Sequence, residues 1–223
     1  MDADWSVELG ADDPVLEMPW TSPDGALCWH NLAANPKLIS ELAECRAYPE
    51  LVEPLRRLNS PESCVLTAKC DVYPTEPTEP AEELYGDWRF VSYVDIFFAH
   101  ARQNHEDAMP VSDFASSRAK RDDFTPAAAN FDFNLHEQFA RNLSARLNDR
   151  PDCDVINATV ETVIRRCAYK HSGDGFYFTI YVVGYGESGE IARQHWATAL
   201  NAAAVEGSAS AARVLREVSG KSR

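Results

Sequence analysis

The residue types best suited to chemistry fall at alternate positions of four segments, 64–73, 88–98, 154–169 and 175–185. Alternation of polar and apolar side chains is the period of a strand with one buried face, so each segment is predicted to be a strand. Their odd positions carry the polar set. Within it, Lys69, Asp71, Tyr93, Asp95, Glu161, Arg165, Tyr177, Tyr181 and Tyr185 are the candidate binding residues. Tyrosine combines rigid apolar area with a hydroxyl, a combination enriched where proteins meet ligands and partners. Asp71, Asp95 and Glu161 would supply a general acid and base if burial drove their pKa values apart, with a tyrosine or Lys69 as proton partner. That chemistry needs the carboxylates to converge, so no catalytic residue is assigned.

Other chemistries find no matching pattern. There is no Gly-x-Ser-x-Gly elbow, phosphate-cradling glycine loop or His-Glu-x-x-His run. Gly184, Gly186 and Gly189 have the glycine spacing of a dinucleotide loop, but the strands around them read as antiparallel, and no cofactor is expected. His100 and His105, beside Glu106 and Asp107, are five residues apart, which does not put both rings on one helical face, so no metal site is assigned. The six cysteines, Cys28, Cys45, Cys64, Cys70, Cys153 and Cys167, form no Cys-x-x-Cys pair and are expected to be reduced thiols.

A polar strand face is held in place by what seals the other side. Even positions are mainly apolar in all four segments: Cys64, Leu66, Ala68, Cys70 and Val72; Trp88, Phe90, Val94, Ile96 and Phe98; Ile156, Ala158, Val160 and Ile164; Phe176, Phe178, Ile180 and Val182. Helices are predicted to cover that face. One helical region opens at Asn35-Pro36 and is split by Pro49 and Pro54, its second part carrying Leu51, Val52, Leu55 and Leu58 and stopping at Asn59 before Pro61. Another spans Phe133–Leu147, with Leu135, Phe139, Leu143 and Leu147 at helical spacing. A helix follows from a cap at Ser188, and a last one covers about 209–218. The proline-rich run from Pro74 to Pro80 reads as a stiff hairpin connection, because proline offers no amide to a ladder. His171 to Asp174 reads as a short turn. Residues 100–126, with the basic cluster Arg118, Lys120 and Arg121, read as a short helix and a solvated linker.

The order helix, strand, strand, helix occurs twice. Arg57-Leu58-Asn59 and Cys64 match Arg146-Leu147-Asn148 and Cys153, Phe90, Tyr93, Val94 and Phe97 match Phe178, Tyr181, Val182 and Tyr185, and Ala101-Arg102-Gln103 matches Ala192-Arg193-Gln194. The expected architecture is therefore α+β: a mainly antiparallel sheet of about four long strands with helices on one face, built from pseudo-repeated halves at about 35–110 and 131–219. Residues 1–34, holding Trp5, Trp20 and Trp29 among turn formers, are expected to form an arm packed on a single domain of residues 35–223.

Charge narrows the partners. The 223 residues carry a net charge of −14, and residues 1–110 hold all the excess, with 21 Asp/Glu against 7 Lys/Arg. Such a surface repels phosphate backbones and anionic lipid, so neither nucleic acid nor membrane is an expected partner. The start, Met1-Asp2-Ala3-Asp4-Trp5, lacks the basic residues and apolar run of an export signal, and a cytoplasmic location is expected. The function predicted is non-catalytic, a binding, adaptor or chaperone-like role in which the tyrosine-bearing face meets a protein partner or a second copy of the chain. The alternative is a cofactor-independent enzyme, of hydrolase or isomerase type, using the carboxylates of the same face.

Overall fold

The computed structural model describes residues 1–60, 62–79, 85–99, 125–151 and 155–221. Six strands form one mixed, mostly antiparallel sheet: β1 (Asp2–Glu8), β2 (Leu16–Met18), β3 (Val65–Pro77), β4 (Trp88–Phe98), β5 (Ala158–Tyr169) and β6 (Gly173–Gly186). The order is β1-β5-β6-β4-β3, and β2 continues the edge begun by β1 along β5. The four long strands pair antiparallel, whereas β1 and β2 run parallel to β5.

The sheet thus has two more strands than the four expected, and both come from the arm. Asp2 to Glu8 alternates Asp2, Asp4, Ser6 and Glu8 with Ala3, Trp5 and Val7, the period of a half-buried strand. Its place is fixed by Asn148, whose side chain accepts from the Ala3 amide and donates to the Ala3 carbonyl, both at 2.8 Å. The Arg141 guanidinium also lies 4.8 Å over the Trp5 ring.

Four helices, α1 (Ala43–Ala47), α2 (Val52–Leu58), α3 (Phe133–Asn148) and α4 (Gly189–Lys221), pack around the apolar core that covers one face of the sheet. Phe90, Ile96, Phe178 and Ile180 are buried there with Phe139, Leu143 and Trp196. The helix predicted from Ser188 and the one predicted at 209–218 are a single helix of 33 residues. It crosses β6 at Gly184, where a Cβ atom would stand 2.2 Å from the Trp196 amide nitrogen, so only glycine admits the helix. The Trp196 indole then donates to Ser92 Oγ at 2.7 Å. Midway along α4, Arg146 and Arg150 of the α3 region converge on buried Glu206.

Three further expectations are corrected. Strand β3 does not stop at Tyr73 but runs through Pro74 to Pro77, with Glu76 opposite Arg89 and Pro77 opposite Trp88. It lies at the sheet edge, where a missing amide breaks no inner ladder. Secondly, the parity of β3 changes at a bulge between Thr67 and Lys69. Val65 and Thr67 share the helix side with Cys70 and Val72, while Leu66 and Ala68 belong to a small apolar cluster on the reverse. Thirdly, the two halves are not matched as repeats. Short helices and 3-10 turns stand in the first half where α3 stands in the second.

The paired asparagines at the ends of α2 and α3 do share a role, but toward different strands. Asn59 donates to Leu55 O and to Thr67 Oγ1 and accepts from the Thr67 amide, latching α2 to the strand that follows it. Asn148 latches α3 to β1 instead. Asn59 takes φ −105°, so its side chain rather than a left-handed backbone closes the helix. Cys153, Pro61, Pro80 and residues 101–103, which carried other parts of the repeat and turn arguments, lie outside the described residues. So do His100, His105, Glu106, Asp107, Arg118, Lys120 and Arg121.

Candidate binding face

Strand pairing sorts the polar face into rows that run across the sheet. One row reads Lys69, Asp95, Thr179, Val163, Ser6 and the next reads Asp71, Tyr93, Tyr181, Glu161, Asp4. Beyond it come Tyr73, Val91, Val183, Thr159 and Asp2. All nine candidate residues lie on this side of the sheet, and the bulge in β3 is what brings Lys69 and Asp71 into phase with Asp95 and Tyr93.

Among the described residues, their surroundings divide the face into a sealed end and an open band. At the β2 end, Leu16 and Met18 with Trp20 and Trp29 close over Leu66, Ala68, Phe97, Cys167, Tyr169 and Tyr177. The bulge makes this possible. Trp29 Nε1 donates to Thr67 O at 3.1 Å and Trp20 Nε1 to Ala68 O at 2.7 Å, so the indoles take carbonyls at the point where the ladder is irregular. Tyr177 is therefore buried, and burial, reinforced by the Asp95 charge, pushes its hydroxyl up to about 12. At the other end Tyr185 is buried under the stacked ring of Tyr85, 4.9 Å away. Tyr177 and Tyr185 are covered, and the tyrosines that the described residues leave accessible are Tyr73, Tyr93 and Tyr181. Tyr73, a residue the strand pattern left unnamed, is 43% exposed. The Tyr73 and Tyr93 ring centroids lie 6.4 Å apart, and those of Tyr93 and Tyr181 6.0 Å.

The charged residues beside this band are mostly engaged. Arg165 donates to Tyr181 Oη at 3.1 Å and to Thr179 Oγ1 at 3.2 Å, and pairs with Glu8 at 2.6 Å. Arg89 pairs with Glu76 at 2.7 Å and with Glu79 at 3.0 Å. The Lys69 ammonium sits 5.0 Å over the Trp20 ring. Asp95 is buried and accepts from Thr179 Oγ1 at 2.7 Å. Burial raises its carboxyl to about 6, opposed by the Thr179 hydroxyl and by the charges of Lys69 and Arg165. Burial also raises the Tyr93 hydroxyl, with the charges of Asp95 and Asp71 adding to the effect.

The three candidate carboxylates do not converge. Asp71 and Asp95 are diagonal neighbours on β3 and β4, whereas Glu161 stands on β5, across β6 from both. Glu161 is exposed and accepts from Ser6 Oγ at 2.8 Å. Residues that the four strand segments could not reveal, Ser6 and Glu8 of β1 and the two arm tryptophans, complete the polar network and its cover. Among the described residues no three His, Cys, Asp or Glu side chains are grouped to hold a metal, and no helix is long and apolar enough to cross a membrane.

No family model, no curated protein and no solved structure matches the chain.

Proposed function

We propose that the protein is a binding module that engages a protein partner or a second copy of itself through the open band of the polar sheet face. The observation that carries this reading is the contrast among the tyrosines of one face. The chain caps Tyr177 and Tyr185 with its own residues, while among the described residues Tyr73, Tyr93 and Tyr181 stand side by side without such a cap. Fixed rings beside polar side chains suit a surface that must hold a partner without itself rearranging. A cytoplasmic setting belongs to the same reading, since the described cysteines Cys28, Cys45, Cys64, Cys70 and Cys167 are free thiols.

Affinity capture with the wild-type chain and with Tyr93→Ala and Tyr73→Ala variants tests this. Proteins retained by the wild type should be lost by both variants while the far-ultraviolet spectrum and melting temperature hold. Equal retention by folded variants would place the contact surface elsewhere.

A second reading, a cofactor-independent enzyme, is favoured by one observation: Asp95 is a buried carboxyl raised to about 6, in the range useful to a general acid or base. It ranks below binding because the register keeps Glu161 two strands and one row away from Asp95, about 12 Å at ordinary strand geometry.

A further inference from the structure

We infer that the occupant of the open band is a cationic polypeptide segment in extended conformation, lying across the strands along the row Asp71, Tyr93, Tyr181, Glu161 and Asp4. The inference deepens the binding reading above and rests on it.

The row has acids at its ends and rings between them. Its carboxylates are occupied by neutral donors: Asp71 accepts from the Val72 amide, Asp4 from the Trp5 amide, and Glu161 from Ser6. Meanwhile the cations nearby already have other contacts, Arg165 with Glu8 and Tyr181, Arg89 with Glu76 and Glu79, and Lys69 with the Trp20 ring. Arg165 also lies 5.5 Å over the Tyr181 ring, so what remains for a visitor is negative charge and the Tyr93 and Tyr73 rings, and both attract ammonium and guanidinium groups. A second copy would bring like charge against like charge, and phosphate ligands would meet the same repulsion.

The spacing adds a pattern. Asp71 and Glu161 stand three strand spacings apart, about 14 Å. An extended chain rises about 3.3 Å per residue, so residues i and i+4 on one of its sides are about 13 Å apart. Residue i+2, on the same side, then lies over Tyr93 and Tyr181. The occupant this fits has Arg or Lys at alternate positions, the outer two meeting carboxylates and the middle one stacking on the Tyr93 ring.

Fluorescence anisotropy with three labelled peptides of about ten residues decides it: arginine alternating with serine, glutamate alternating with serine, and glutamine alternating with serine. The arginine peptide should bind the wild-type chain, weaken as salt is raised, and lose about fivefold to tenfold in affinity with Tyr93→Ala and with Glu161→Gln. Glu161 is exposed, so Glu161→Gln keeps the test valid if Tyr93→Ala loses its fold. If the glutamine or glutamate peptide binds better and Tyr93→Ala abolishes it, the cationic assignment falls while the binding face stands. If the arginine peptide binds both folded variants as tightly as the wild type, it binds elsewhere, and both readings fall. If none of the peptides binds, the cationic assignment falls and the capture experiment above decides the face. A dimer dispersed by Tyr93→Ala would overturn the assignment in favour of a second copy.

Discussion

Each face of this sheet buries a titratable side chain whose pKa burial shifts, and the two shifts run in opposite directions. On the helix side, His136 of α3 is stacked on Phe178 at 4.6 Å and ringed by Phe98 and Phe176. Burial pulls its pKa down to about 4. On the polar side, burial lifts Asp95 to about 6. Both groups are driven toward neutrality by lost hydration. The helix side surrounds its histidine with aromatic rings, and the polar side surrounds its aspartate with Thr179, Lys69 and Arg165. The lesson is that the polar face is a second interior at its sealed end and a surface only in its central band.

The largest test of that contrast is truncation on the helix side. Phe178→Ala removes a fully buried ring packed on Phe139 at 4.3 Å and on Phe98, and should cost about 3–5 kcal/mol in chemical denaturation. A loss below about 1 kcal/mol would mean that the helix side is no tighter than the open band.

Next in size is a pair of opposed pH dependences. Asp95 has a native pKa raised from 3.8 to about 6, so its favourable contribution is complete below about 4 and is lost as pH rises toward 6. His136 has a native pKa lowered from 6.5 to about 4, so its contribution is complete above 6.5 and is lost as pH falls toward 4. Between these limits the two slopes oppose each other. Relative to the wild type, Asp95→Asn should tilt stability upward with pH, and His136→Phe should tilt it downward, each by on the order of 3 kcal/mol across the window. Urea denaturation at several pH values reads both tilts. Parallel profiles for all three proteins would show that neither face imposes neutrality.

The smallest effect belongs to the open band. Tyr73→Ala should move stability by no more than about 0.5 kcal/mol, as measured by urea midpoint, since the ring is exposed at the edge strand. A larger loss would make Tyr73 a packing residue and shrink the available band.

Much of this arrangement is legible in residue order, and the failures have local causes. Alternation alone brings Tyr93, Asp95, Glu161, Arg165 and Tyr181 onto one side, because β4, β5 and β6 keep an unbroken period of two. It misassigns Leu66 and Ala68 because a bulge adds one residue, and parity carries no memory across such an insertion. The edge strand β1 is written plainly in Asp2 to Glu8, but an N-terminal stretch crowded by turn formers invites an irregular reading. Which tyrosines are covered is not a local property at all. Tyr177 is sealed by residues about 150 positions earlier in the chain, and Tyr185 by a ring from the β3–β4 connection.

The parallel seam between residues 2–8 and 159–165 also orders events on the ribosome. Residues 2–8 have no lane to occupy until β5, about 150 residues later, has been made, which at about 5–20 residues per second is a delay of roughly 10–30 s. During that interval Trp5 and its apolar neighbours must be tolerated in water or shielded by other factors. The native sheet therefore closes its outer margin late, with β1 fastened to a strand made long after it.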